Sequence, residues 1–223
     1  MRIAYADLDL NIDIDDDQTI ALYFENKKIF RNFVGELKNQ IEGEEGHWIL
    51  SDGGSLIDFN KDTVIIASVL WPDFNNKLIA TQLQNILTQI GQDYIDDAAE
   101  VNAALQNFWF LLERNYSVLL EHTDYVGVKD LVKLAKFKIS ADESSVYPLN
   151  DYLRVIQEIV GPKIVFLVNA ESILEEEELE NLLQTARLYD IKLIRLESQF
   201  AKVTTFDRTL EKRYIIDKDY CVS

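Results

Sequence analysis

The sequence predicts a mixed α/β fold whose mostly parallel sheet is built from both ends of the chain. Three observations predict it. The last third alternates helical and strand patterns, and its strands are apolar on both faces, as in a parallel sheet covered on each side by helices. Thr63 to Leu70, far upstream, is β-branched and apolar in the same two-sided way. Between these stretches the spacing is helical and offers no good strand other than Phe137-Lys138-Ile139. Residues 1–75 with 149–223 therefore read as an α/β head domain, and residues 76–148 as an inserted α-helical leg subdomain.

The elements follow in order. Ile3 and Tyr5, then Leu8, Leu10, Ile12 and Ile14, alternate with Asp7, Asp9, Asn11, Asp13 and Asp15, the mark of half-buried strands. Asp15-Asp16-Asp17 is a turn, and Thr19 to Phe24 a further strand. Asn26 caps a helix through about Ile41, with Ile29, Phe30, Phe33, Val34, Leu37 and Ile41 as its apolar stripe. Trp48 to Leu50 and Ser55 to Phe59 flank a hairpin-type turn at Asp52-Gly53-Gly54. Trp71-Pro72-Asp73 stops the strand that starts at Thr63. Helical patterns then cover Asn75 to Ile90, with Gly91 as a stop. A second runs from Asp97 to about Leu120 through Val101, Leu105, Phe108, Trp109, Leu112 and Leu119, and a third from Val126 to about Phe137. Leu149 to Val160 is a helix ended by Gly161-Pro162, and Lys163 to Val168 a buried strand. Ser172 to Tyr189 is a helix whose acidic front, Glu175 to Glu178, complements the macrodipole. Ile191 to Leu196 and Arg213 to Ile216 are the last strands.

Composition narrows the function classes. Lys and Arg number 22 and Asp and Glu 39, a formal net charge of −17. That excess argues against a nucleic-acid partner unless a local basic group overcomes it. The hydrophobic fraction of 48% supports a sizeable core and excludes a disordered chain. One cysteine, Cys221, excludes an internal disulfide and a Cys-based zinc site. No segment reaches the roughly 18 apolar residues of a membrane span, and the first residues hold no apolar signal core. A cytoplasmic protein is expected.

The element order invites a nucleotide fold, and the motifs do not follow it. A phosphate loop needs Gly-x-x-x-x-Gly-Lys-Ser/Thr after a core strand, so that backbone N–H groups can cradle phosphates. Here that turn is Glu25-Asn26-Lys27-Lys28, without glycine, and the strand Ile164 to Val168 ends in Asn169 where a magnesium-binding Asp is expected. The head thus reads as P-loop-like with degenerate nucleotide motifs, and no nucleotide is expected. Asp13, Asp15 and Asp17 have calcium-loop spacing, but Gln18 and Phe24 stand where such a loop needs Gly and Glu. Neither His47 nor His122 lies in a nucleophile setting, and no Gly-x-Ser-x-Gly occurs. No catalytic residue is assigned, and the chain is expected not to be an enzyme.

One segment runs against the global charge. Residues 127–138 hold Lys129, Lys133, Lys136 and Lys138 against Asp130 alone. The first three sit at i, i+4 and i+7, one face of a helix, where they form either an ordinary solvated face or an anion-binding stripe that tracks a phosphate backbone. Just before it, Glu113, Glu121 and Asp124 fall where one helix gives way to the next. They read as surface acids or as hard oxygen ligands for calcium.

Several blocks carry a family resemblance. They are Lys163 to Asn169 followed by Leu174 and Glu178, Ile191 to Glu197, and Arg213 to Tyr220. Thr63 to Leu70 with Asp73-Phe74-Asn75, and Asp124 to Lys133, add to them. In this order they resemble the CRISPR-associated adaptation protein of type II-A systems, the ring-forming DNA-end binder of spacer acquisition in antiviral defence. The resemblance implies an α/β head with an inserted helical leg. It implies a homotetrameric ring with a positively charged hole that binds double-stranded DNA ends without being an enzyme. Its implied partners are the integrase proteins of adaptation and the effector nuclease, with no membrane. Lys129, Lys133, Lys136 and Lys138 are then the DNA-binding residues. Calcium, held by Glu113, Glu121 and Asp124, would support the ring, although the family's matching helix end is denser in acids than this one.

Non-catalytic, sequence-independent binding of double-stranded DNA ends is therefore the expected function. The rival is an acidic α/β scaffold that binds protein partners and touches no nucleic acid. A degenerate nucleotide-dependent enzyme is a third reading, opposed by the missing glycines at Glu25 to Lys28.

Overall fold

The computed structural model describes residues 1–6, 10–14, 19–140, 145, 147–199 and 211–222. Leu8 and the aspartates Asp7, Asp9, Asp15, Asp16 and Asp17 of the expected opening strands lie outside the described residues. Along the chain come β1 (Arg2–Tyr5), β2 (Leu10–Asp13), β3 (Thr19–Phe24), α1 (Lys27–Ile41), β4 (Trp48–Asp52), β5 (Ser55–Leu56), the short α2 (Phe59–Asp62) and β6 (Thr63–Ile66). Three helices follow: α3 (Lys77–Gly91), α4 (Ile95–Arg114) and α5 (Val128–Ala135). The chain ends with α6 (Pro148–Ile159), β7 (Ile164–Val168), α7 (Glu176–Leu188), β8 (Leu193–Glu197) and β9 (Glu211–Ile216). These elements divide into two compact units, Met1–Asp73 with Asp142–Ser223, and Phe74–Ala141.

The first unit is a mixed α/β body. Its five-stranded sheet has the order β6-β7-β8-β3-β9, and all four pairings are parallel. β3, from the N-terminal stretch, lies between two C-terminal strands, so the sheet joins both ends of the chain. A second, antiparallel sheet has the order β2-β1-β4-β5. Its buried residues Ile3, Leu10, Ile12, Trp48 and Leu50 share one core with α1 and with Ile20, Leu22, Phe24, Phe166 and Leu196 of the parallel sheet. Trp48 is fixed there by donating from Nε1 to the Phe33 carbonyl at 3.2 Å, with the Phe33 ring edge-on to it. Asn26 caps α1 as its sequence implies, its side chain accepting from the backbone N–H of Lys28 and Ile29.

The opposite face of the parallel sheet has two halves. Val165, Leu167 and Leu193 are buried there, and α6 and α7, linked by the Asn150 amide donating to Thr185 Oγ1 at 3.1 Å, supply Leu149, Leu153, Leu182 and Leu183 as buried apolar cover. Toward β9 the same face turns polar. The register aligns Leu167, Arg195, Ala21 and Arg213 in one row across four strands. Arg195 is 0% exposed. Its guanidinium donates to Glu211 at 2.8 and 3.0 Å, to Glu197 at 2.9 Å and to Glu171 at 3.3 Å, with Tyr23 hydroxyl beside it at 3.2 Å. Tyr23 in turn donates to Glu171, and Arg213 reaches Glu211 at 3.0 Å. Ala21, between the two arginines, leaves the room a larger side chain would take. Burial pushes the Glu197 carboxyl up to about 7, against the pull of Arg195. Burial also raises the Tyr23 phenol. Burial alone would lower the Arg195 pKa, but the charge and hydrogen bonds of Glu211 outweigh it and raise it.

Two sequence expectations are adjusted. β6 ends at Ile66, where its pairing with Leu167 ends, rather than running to Leu70. α7 begins at Glu176 rather than Ser172, because Glu175 and Glu178 form a reciprocal capping box there. Asn169 sits in the left-handed region with φ 53°, and its side chain accepts from the Ser198 N–H at 2.9 Å. It therefore joins the ends of β7 and β8, a role that short polar Asn fills readily.

Replacing Arg195 by Met should strongly destabilise the first unit, because Glu197 and Glu211 stay buried without their cation. Loss of one partner of such a network costs about 3–5 kcal/mol. Denaturant unfolding of R195M should show that loss, and a change below about 1 kcal/mol would contradict this role.

Candidate nucleic-acid interface

The second unit positions the lysine segment through polar side chains. On α4, Asn102, Gln106, Trp109 and Glu113 recur at i, i+4, i+7 and i+11, one helical face. The chain that follows α4 returns along that face. Glu113 Oε1 lies 3.3 Å from His122 Nε2, and Trp109 packs on the His122 ring at 4.9 Å. The Gln106 amide donates to the Asp124 carbonyl at 2.7 Å. Asn102, buried, donates to the Val126 carbonyl at 2.9 Å and accepts from the Val126 N–H at 2.8 Å. That pair occupies both backbone groups of Val126, two residues before α5 starts.

The far end of the segment is held in the same manner. Asn75 donates to the Ile139 carbonyl at 3.1 Å and accepts from the Ile139 N–H at 2.8 Å. Between these two clamps, α5 packs on α3. The approach is close at Gly91, where an added Cβ would lie 2.6 Å from Val128 Cγ1. Gly91 is the last residue of α3, as its sequence position implies, and also a contact glycine; the backbone continues through a 3₁₀ turn, Gln92–Tyr94, into α4.

Lys129, Lys133, Lys136 and Lys138 are all exposed. Lys129 and Lys133 share a face of α5 one turn apart. The helix ends at Ala135, however, and Lys136 adopts the left-handed conformation with φ 51°. The expected i, i+4, i+7 face is thus cut short: Lys136 and Lys138 belong to the turn after the helix. Lys133 and Lys136 flank a cavity of about 120 Å³ formed by α3 and the α5 turn, with Leu83, Leu87, Val132 and Phe137 along it. The second expected helix also stops early, at Arg114 rather than near Leu120. There Asn115 closes it, its side-chain amide donating to the Leu111 carbonyl at 2.7 Å.

The candidate calcium ligands are not assembled. Glu113 pairs with His122, Asp124 uses its backbone carbonyl toward Gln106, and Glu121 is exposed. Among the described residues no group of three or more His, Cys, Asp or Glu is placed to hold a metal ion. The other histidine, His47, pairs through Nδ1 with Glu36 at 2.7 Å. Burial opposes ionisation of Glu36, but hydrogen bonds from Tyr5 and His47 outweigh it and hold its carboxyl below the usual range. No helix among the described residues is long and apolar enough to cross a membrane.

No family model matches the sequence, and no curated protein matches it. Solved structures similar to it include a bacterial Atm1-family ABC exporter with ATP bound, at 16% identity and a TM-score of 0.43 over 93% of this chain and 33% of that one. Another is the ADP conformation of an ATP-binding cassette of an ABC transporter, at 10% identity and a TM-score of 0.47 over 96% of this chain and 85% of that one. The first is described with ATP bound and the second as the ADP conformation of an ATP-binding cassette. The expectation that no nucleotide binds conflicts with that finding and is withdrawn.

Asn102→Ala removes both hydrogen bonds to Val126. A buried polar pair left without partners loses about 1–3 kcal/mol. Amide exchange at Val126 should therefore quicken by about tenfold or more, with Val165 in the sheet unchanged. Unaltered exchange at Val126 would show that Asn102 does not hold the lysine segment.

Proposed function

We propose that this chain binds double-stranded DNA ends, without sequence preference and without catalysis, as a homotetrameric ring that supports CRISPR spacer acquisition. The observation that carries the reading is the lysine segment held between two asparagine clamps. Four exposed lysines stand there against one aspartate, on a backbone pinned at Val126 and Ile139. Phosphate contacts need such preset cations, and contacts to phosphate carry no sequence information. A chain of net charge −17 would gain from gathering four copies of this segment around one duplex, since linked weak sites bind far more tightly than any one of them. The helical unit is, in this reading, the leg inserted into the α/β head.

Assembly has its own support. Phe108, Phe110, Leu111 and Leu112 on α4 are exposed, and Leu119 beyond it is 92% exposed. Of these, Phe108, Leu111 and Leu112 share one side of α4, and exposed apolar side chains grouped in this way offer a surface for contact with another protein. Closed point-group assembly is the usual form for identical copies. The implied partners in adaptation are the integrase proteins and the effector nuclease.

Two results are expected. Four copies of the 25.8 kDa chain give about 103 kDa in solution. A triple K129E/K133E/K136E variant should keep that mass and its fold, yet lose DNA binding, while the wild-type affinity falls steeply with added salt. Undiminished binding by the folded triple variant would remove these lysines from the interface.

A further inference from the structure

The lysine segment carries an aromatic ring as well as charge. Phe137 lies between Lys136 and Lys138 and is 56% exposed. It follows directly on the left-handed Lys136, whose N–H closes the helix on the Lys133 carbonyl at 3.3 Å. Two residues on, Asn75 pins Ile139. The ring is therefore carried on a turn fixed on both sides. It lines the α3–α5 cavity together with Leu83, Leu87 and Val132, and Lys133 and Lys136 flank the same space.

The dimensions and chemistry fit one kind of occupant. The cavity holds about 120 Å³, near the roughly 150 Å³ that accommodates a single benzene ring. It is too small to enclose a base pair or a whole nucleobase, and it leaves room for the edge of one planar ring against Phe137. Leu83, Leu87, Val132 and Phe137 give its lining an apolar and aromatic side, and Gln84, Lys133 and Lys136 a polar one that is cationic in a strongly acidic chain. A nucleobase stacks on an aromatic face and carries its phosphate beside it, so base and phosphate match the Phe137 ring and the lysines together. A peptide with an apolar side chain would fill the walls but leave the lysines without a purpose, and free phosphate would leave Phe137 without one.

We infer that Phe137 and the α3–α5 cavity take an unpaired base at a DNA end, with Lys133, Lys136 and Lys138 on the flanking phosphates. The inference rests on the DNA-binding reading above and adds to it a preference for ends with a single-stranded overhang. Duplex phosphates would engage the lysines at any end, but only an unpaired base can leave its stack and reach the ring without breaking a base pair.

The test compares blunt duplexes with otherwise identical duplexes carrying a five-nucleotide overhang, by fluorescence anisotropy at fixed salt. The wild-type protein should bind the overhang duplex about tenfold more tightly, the scale of one base stacked on an aromatic ring. Phe137→Ala should erase that difference while keeping blunt-end affinity, and Phe137→Trp should retain it. A thermal melt of each variant establishes that it is folded. Equal wild-type affinity for both duplexes would overturn the inference and leave DNA binding standing. Equal weakening of both duplexes by F137A would also overturn it, by making Phe137 a packing residue. Absence of wild-type binding to either duplex would overturn the DNA-binding reading itself.

Discussion

Arg195 is the constraint on which the larger unit depends. A guanidinium with no solvent contact ties β8 to β9 through Glu211 and to the end of β7 through Glu171, with Tyr23 of β3 beside it. Taking these charges out of water costs several kcal/mol per ion, and hydrogen bonds to nearly every donor of the fork are needed to offset it. The network acts on register more than on net stability. A shift of one residue in β8 would turn Arg195 and Glu197, and in β9 Glu211, into the apolar core on the other face. The parallel sheet joins strands from opposite ends of the chain, and this polar row fixes how they meet.

The helical unit is organised by a different device with the same logic. Asn75 and Asn102 each satisfy both backbone groups of one residue, as a neighbouring strand would, and between them they fix the lysine segment. The rigid spacing of the cations comes from these amides rather than from a long helix. Lys136 leaves the helix through a left-handed turn, and that turn sets Phe137 against the α3–α5 cavity. Charge, turn and cavity thus arise from one short stretch whose backbone is held from α4 and from the start of α3.

What the sequence made legible follows from what hydrophobic pattern encodes. Ile164 to Val168 is five apolar residues in a row, and it is a central strand buried on both faces. Asn26, Ile29, Phe33 and Leu37 announce α1 by cap and spacing. Pattern does not encode where pairing or propagation ends. Val69 and Leu70 continue an apolar run after β6 has left the sheet, and Leu119 and Leu120 continue a helical spacing after Asn115 has closed α4. The buried Arg195 was hidden because a charged residue in a strand reads as solvent-facing. Asn102 and Gln106 were hidden likewise, as ordinary polar positions of a helix, although their i, i+4 spacing on one face is the signal that could have pointed to them. The lysines themselves were legible from local charge, but their single helical face was not real beyond Lys133.

The central claim is that rigidly held cations, repeated around a closed ring, engage a duplex by its end. A mobility-shift assay on linear and covalently closed circular DNA of one sequence tests it most directly. The account predicts that the linear form shifts and the circular form does not. Equal shifts of both forms would contradict threading and place the contact on an open surface, and no shift of either would contradict DNA binding altogether.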